Sequence, residues 1–121
     1  MDIYAQNIMD HYKHPRNKGR LSNADVSFQE INHLCGDDIT VDIKLDGNNI
    51  QKIMFSGSGC AISQSGISML SELLLGWSKE DVLALDFKYL ESIFGIVISE
   101  RRSKCARIGL LAIQNALKNV S

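Results

Sequence analysis

The nine residues Asp38–Asp46, DITVDIKLD, place Ile39, Val41, Ile43 and Leu45 in strict alternation with Thr40, Asp42, Lys44 and Asp46. A period of two sends alternate side chains to opposite faces, so the segment predicts a strand with one apolar and one wet face. It is followed by DGNN, Asp46–Asn49, whose residues tolerate positive φ, and then by IQKIMFSGS, Ile50–Ser58, which returns as the second arm of a hairpin. Upstream, DVSFQEINH, Asp25–His33, alternates more weakly and supplies a third strand. Together these segments predict a small antiparallel sheet.

Beyond Cys60 the period changes. AISQSGISMLSELLLG, Ala61–Gly76, carries Ile62, Ile67, Met69, Leu70, Leu73 and Leu74 at helical intervals, and Gly76 offers a C-cap, which predicts about four turns of helix. SKED, Ser78–Asp81, resembles a capping box and opens a short helix. A last apolar helix is expected over about Ser103–Lys118, with Ile108, Leu111, Ala112 and Leu117 among its buried positions. At the other end Ile3, Tyr4, Ile8, Met9 and Tyr12 recur at helical intervals, predicting an amphipathic helix over residues 3–13 that docks by that stripe. The polar stretch Lys13–Asn23, which contains the only proline, Pro15, joins this helix to the strands. Strands followed by helices predict an α+β domain, a three-stranded antiparallel sheet with helices packed on one face.

Length and composition suit one domain spanning residues 1–121: 45% of the residues are hydrophobic, enough for a modest core. Thirteen Lys and Arg against 14 Asp and Glu leave a net charge of -1, which argues against a nucleic-acid groove or an anionic membrane surface as partner. No apolar run is long enough to cross a bilayer, and MDIYAQNIMDHYK carries acids where a signal peptide would carry a basic region. The expected location is the cytoplasm, and three widely spaced cysteines there read as reduced thiols rather than a disulfide framework.

Each cysteine falls near the end of an expected element. Cys35 lies in NHLCGDD between the first two strands, Cys60 between the third strand and the long helix, and Cys105 in RRSKCARIG within the first turn or so of the last helix. Unpaired N–H groups at a helix start favour a thiolate, and Arg101, Arg102 and Lys104 would add positive charge around Cys105. Asp37 follows Cys35 at two residues, with Gly36 between them permitting a turn that brings carboxylate and sulfur to one side. Three sulfurs and one oxygen would complete a tetrahedral metal site. Blander readings compete: free cysteines commonly pack in cores, Asp37 suits an ordinary turn, and the basic group suits a solvated helix start. His33 could face the same way as Cys35 or be an ordinary loop histidine, and His11 and His14 read as solvent-facing. With no CxxC pair, spacing alone leaves a metal or reactive-thiol site and simple packing both open.

Four motifs in order, YAQNIMDHYKHPRNKG, NHLCGDD, FSGSGCAISQSGISML and RRSKCA, resemble the NifU N-terminal, IscU and SufU family of iron–sulfur cluster assembly proteins over nearly the whole chain. The resemblance implies that Cys35, Asp37, Cys60 and Cys105 form one ligand set for iron, a transient [2Fe–2S] cluster or zinc. It also implies that Cys60 and Cys105 are the sulfur-accepting thiols, with Arg102 at the position of an arginine in SufU-type members. Departures are equally specific. Lys104 precedes Cys105 where IscU-type proteins have histidine, IVISER lacks the proline-rich segment read by a chaperone, and His33 stands where proline is common. The SufU insertion between the second and third cysteines is missing, so the chain is SufU-like in ligands and IscU-like in length. Two functions follow from the resemblance. In the first, a scaffold receives sulfur from a cysteine desulfurase, binds iron and passes a [2Fe–2S] cluster to downstream acceptors. The alternative is a zinc-dependent sulfurtransferase in which Cys60 or Cys105 attacks the desulfurase persulfide and Arg102 pairs with Asp37. The scaffold is ranked first, which leaves enzymatic activity open. The segment around Tyr4 and His11 is the expected part of the desulfurase contact.

Overall fold

The alternation around Ile39 sets the middle of the sheet. The computed structural model describes residues 2–120. Strands β1 (Val26–Asn32), β2 (Asp37–Asp46) and β3 (Asn49–Ser58) pair antiparallel in the order β1-β2-β3. Asn32 faces Asp37 at one end of the β1–β2 ladder, and Asp46 faces Asn49 across a two-residue turn in which Gly47 takes φ +61°. The glycine accepts a left-handed angle that a Cβ would penalise. A bulge beside Lys44 and Leu45 shifts the β2–β3 register.

Ile39, Val41 and Ile43 of β2 are fully buried together with Ile53 and Phe55 of β3. Over this apolar face lie the helices α2 (Ala61–Leu73) and α5 (Glu100–Lys118). Helix α1 (Ile3–Lys13) packs on α2, while α3 (Lys79–Leu83) and α4 (Phe87–Phe94) pack against α5, with α4 also touching α2. This is the α+β arrangement read from the sequence. Side-chain caps start three helices: Asp2 accepts from the Ala5 N–H at 2.8 Å, Ser78 from Asp81 at 3.1 Å and Asp86 from Tyr89 at 3.3 Å. No helix among the described residues is long and apolar enough to cross a membrane.

Several expectations change. Helix α5 starts at Glu100 after the N-cap Ser99, three residues earlier than the apolar pattern suggests, because its first turn is polar and carries no periodic signal. Leu111 is 41% exposed and not a core position. In α1 the buried residues are Ile8 and His11, whereas Ile3, Tyr4 and Tyr12 are exposed. His11 is therefore not solvent-facing: its Nδ1 lies 2.8 Å from Ser68 Oγ, and burial, with Arg16 adding, holds its pKa below the ordinary 6.5. Helix α2 ends at Leu73, short of Gly76, whose φ of +86° instead returns its N–H to Ile50 O at 2.8 Å. Helix α4 has no counterpart in the periodicity reading, although Asp86 and Gly95, the latter at φ +68°, mark its two ends.

The outer face of the sheet is not simply wet. Asp42 is 1% exposed, because the polar stretch after α1 folds across it. Arg20 Nε and Nη2 donate to its carboxylate at 2.7 and 3.1 Å, the Leu21 N–H donates at 2.9 Å, and Ser27 Oγ–H adds a fourth bond. The same stretch covers the free edge of β3, with the Gly19 N–H donating to Phe55 O at 2.6 Å and the Phe55 N–H to Asn17 O at 3.0 Å. Burial raises the pKa of Asp42, but the Arg20, Ser27 and Leu21 hydrogen bonds together outweigh it and hold the carboxyl below its ordinary 3.8.

A depressed carboxylate pKa contributes stability above the unfolded value and loses it as pH falls through the folded one. Wild type should therefore lose stability below about pH 4, and Asp42→Asn should flatten that part of the profile. Asp42→Ala, which strands the Leu21 and Ser27 donors, should cost about 2–3 kcal/mol. Urea unfolding of both variants between pH 3 and 7 checks the two expectations, and an unchanged acid limb in Asp42→Asn would sink the first.

Candidate metal-binding site

Three connections bring the candidate ligands together. Cys35 sits in the four-residue turn between β1 and β2, where Gly36 adopts φ +70°. Asp37 is the first residue of β2, and Cys60 is the N-cap of α2, just after the end of β3. Cys105 comes from α5, which packs on the same sheet face beside α2. All three cysteines are free, and their exposure is graded: Cys35 is exposed, Cys60 half-buried and Cys105 buried.

Asp37 is fully buried at the start of α2. Its Oδ1 accepts the Cys60 N–H at 3.0 Å and the Ser63 hydroxyl at 3.1 Å. The carboxylate thus meets the positive end of the helix dipole, one of the backbone donors a helix start leaves over, and a hydroxyl from the first turn. Its other oxygen, Oδ2, is buried with no hydrogen-bond partner. A buried carboxylate oxygen left in that state is costly unless a cation or a donor meets it.

What stands beside Asp37 is sulfur. Cys35 Sγ and Cys105 Sγ are 3.0 Å apart, and the ligand atoms of Cys35, Asp37 and Cys105 all lie within 4.8 Å of one another. Cys60 is outside that tight group but lines the same pocket, about 350 Å³, together with Cys35, Cys105, Arg101 and Arg102. Thiolates with one carboxylate are a donor set for zinc or iron, so the residues present fit either metal. His33 is exposed and is not part of the group.

The position of Cys105 overturns one expectation. It is the sixth residue of α5, in the second turn, so it is not at a helix start and gains nothing from unpaired N–H groups there. Its thiol is pushed far above the ordinary value of 9.0, first by burial and then by its neighbours Cys35, Asp37 and Cys60. Arg102 lines the pocket, while Lys104 faces away from it into a neighbouring groove.

Two residues of the site are absent from the sequence reading. Ser63 braces Asp37 with a hydroxyl hydrogen that it shares between Asp37 Oδ1 and Cys60 O, 3.1 and 2.9 Å away. Its signal is positional, since it occupies the third residue of a helix, where a short hydroxyl reaches back to the cap. Gly59 has no side chain because Asp37 occupies the space: a Cβ there would lie 2.6 Å from Asp37 Oδ1 and closer still to Ser63 Oγ.

A family model, the NifU-like N terminal domain, matches residues 3–121. The chain is 33% identical to the zinc-dependent sulfurtransferase SufU of Bacillus subtilis (strain 168) over 132 aligned positions, covering 95% of this chain and 89% of the relative. It is 30% identical to the iron–sulfur cluster assembly scaffold protein IscU of Streptococcus pyogenes serotype M1 over 133 positions, covering 96% and 83%. Both alignments are longer than the 121 residues of this chain, so each relative carries residues that it lacks. A crystal structure of a hypothetical protein superposes with a TM-score of 0.85 at 30% identity, covering 97% of this chain and 98% of the other.

Filling the space beside Asp37 tests whether the brace matters. Gly59→Ala should push the carboxylate out of place, lowering stability by about 1–3 kcal/mol through overpacking and zinc affinity by at least tenfold. Ser63→Ala, which removes one brace and no ligand, should produce a smaller loss of both. Thermal unfolding and competitive chelator titration read the two effects, and a Gly59→Ala protein with wild-type zinc affinity would show that Asp37 is not a ligand.

Proposed function

Because the chain belongs to the family of NifU-like N-terminal domains, we propose that it is an iron–sulfur cluster assembly scaffold. Iron and sulfur are its cargo. The observation that carries the reading is the convergence of Cys35, Asp37 and Cys105 within 4.8 Å, with Cys60 on the same pocket. A cysteine desulfurase supplies sulfur as a persulfide. A thiolate of this chain attacks the terminal sulfur, the S–S bond breaks, and the desulfurase thiolate leaves. Reducing two transferred sulfurs to sulfide takes four electrons: two come from the two ferrous irons as they become ferric in the product, and two from an external thiol-type reductant. Cys35, Cys60, Cys105 and Asp37 would hold the ferrous iron that completes a [2Fe–2S] product, which is then passed to an acceptor protein. One oxygen donor among three sulfurs gives the product a weaker corner, which suits release over retention.

A second reading rests on the 33% identity to a zinc-dependent sulfurtransferase. Bound zinc would keep the thiols ionised and shield them from oxidation. In that reading Cys60 accepts the persulfide sulfur and Arg102, which lines the pocket, pairs with Asp37 when the ligand set changes. The two readings share the process, the desulfurase partner and a cytoplasmic location. Neither calls for nucleic acid or membrane.

The readings separate in one anaerobic experiment on the apo and zinc forms, each mixed with a cysteine desulfurase, cysteine, a dithiol reductant and ferrous iron. A scaffold should develop the visible absorption of a labile cluster on the apo form, and Cys60→Ser should lose at least nine-tenths of it. A sulfurtransferase should instead stimulate cysteine turnover only as the zinc form and carry persulfide without a cluster. In that case Arg102→Ala should slow sulfur acceptance about tenfold, and an Arg102→Ala rate equal to wild type would remove the arginine from the mechanism.

A further inference from the structure

A groove of about 260 Å³ runs between β1 and the exposed side of α5, lined by Glu30, Ile31, Asn32, Lys104, Arg107 and the apolar pair Ile108 and Leu111. Ile31 and Leu111 are 45% and 41% exposed, more than a closed core would leave them. Arg107 is held in place with its guanidinium 4.6 Å from the centre of the Phe87 ring. The one acid, Glu30, is already engaged, accepting from Asn115 Nδ2 at 2.9 Å. Four of the chain's 13 basic residues, Arg101, Arg102, Lys104 and Arg107, fall within seven consecutive positions of α5, although the whole chain carries a net charge of only -1. None of the four takes part in an ion pair among the described residues.

Two further features say what the groove accepts. Asn32 Nδ2 is buried and has no hydrogen-bond partner, so the groove holds a donor in want of an acceptor. Strand β1 is the terminal strand of the sheet and is paired only on its β2 side among the described residues. An unpaired edge is a template for an extended chain. The occupant that meets unpaired cations, a free amide donor, an apolar floor and a strand edge together is an extended peptide bearing carboxylates.

We propose that this groove docks an extended acidic segment of a partner protein along the free edge of β1. Its backbone pairs with β1, its carboxylates meet Lys104 and Arg107, and an apolar residue sits over Ile31 and Leu111. Along the chain Lys104 adjoins Cys105 and Asn32 lies three residues before Cys35, so a partner held here is held on a groove neighbouring the cysteine pocket, with no lining residue in common. That placement rests on the function proposed above, whereas the docking itself does not.

The test uses the full chain in its zinc-bound form and a fluorescein-labelled ten-residue peptide in which glutamate alternates with valine. Its lysine–valine counterpart serves as control. The glutamate peptide should bind in low salt, weaken as salt rises, and shift the backbone amide resonances of residues 29–32 and 104–111. The Lys104→Glu, Arg107→Glu double variant should weaken binding at least tenfold, and Lys104→Gln, Arg107→Gln by a smaller factor. Circular dichroism and zinc content verify that both variants remain folded. Equal binding of the lysine peptide, amide shifts centred on α1 or the 14–25 stretch, wild-type affinity in the double variant, or no binding at millimolar peptide would each overturn the proposal. None of these readouts involves sulfur or iron, so failure here is separable from failure of the scaffold reading.

Discussion

The structure depends on a buried carboxylate at the start of a helix. Asp37 opens β2, faces Asn32 of β1 across the ladder, and accepts hydrogen bonds from Cys60 and Ser63 at the head of α2. One side chain thus ties the β1–β2 turn, the sheet and the central helix together. The cost of burying the charge is offset by the helix dipole and by two directed donors, both at Oδ1. What remains is Oδ2, buried and without a hydrogen-bond partner. Cys35, two residues before this anchor, and Cys60, bonded to it through the backbone, take their relative positions from it. The absence of a side chain at Gly59 is a condition of the arrangement, because that space is already taken.

Cys105 reaches the same place by a different constraint, the close approach of two helices. Over residues 62–71 helix α2 is buried on every side between α1, α5 and the sheet, which explains why its serines are as buried as Ile67 and Leu70. Ser65 returns its hydroxyl hydrogen to Ala61 O at 2.6 Å and Ser71 to Ser68 O at 2.7 Å, so these polar groups enter the core already satisfied. Small residues permit the crossing: a Cβ on Gly109 would lie 2.9 Å from Ile67 Cβ. Gly109 is one turn beyond Cys105 on α5, and the depth of that crossing therefore sets how far the sulfur projects toward Asp37.

The sequence made the sheet legible because a strict period of two over Asp38–Asp46 has one physical reading, and the change of period at Cys60 marked the helix start for the same reason. Where elements are held by single long-range polar contacts, periodicity had nothing to report. Asp42 alternates as a solvent residue, and only the folding of Arg20 and Leu21 across it makes it buried. His11 sits in a polar-looking helix, and only the position of Ser68, 57 residues away, gives it a buried partner. The start of α5 was misplaced because its first turn, Glu100 to Ser103, is entirely polar. The grouping of the thiols could not be had from their spacing of 25 and 45 residues, since it follows from a turn, a cap and a helix crossing that are unrelated in sequence. Family resemblance supplied that grouping, and the geometry adds that Cys60 stands slightly apart from the other three donors.

That offset separates the roles of the two thiols the sequence offers as sulfur acceptors. The attraction of Cys105 as a nucleophile came from a helix start that the structure places five residues upstream. In the second turn it is buried, and burial raises its pKa in the metal-free protein. Cys60 is the residue at a helix start: it is the N-cap of α2, its side chain makes no capping bond, and it is half-exposed on the pocket wall. A persulfide presented from solvent meets the more exposed Cys35 and Cys60 before the buried Cys105. Under either proposed function, then, the geometry favours Cys60 as the acceptor to test first, with Cys105 and Asp37 as the deeper candidate ligands.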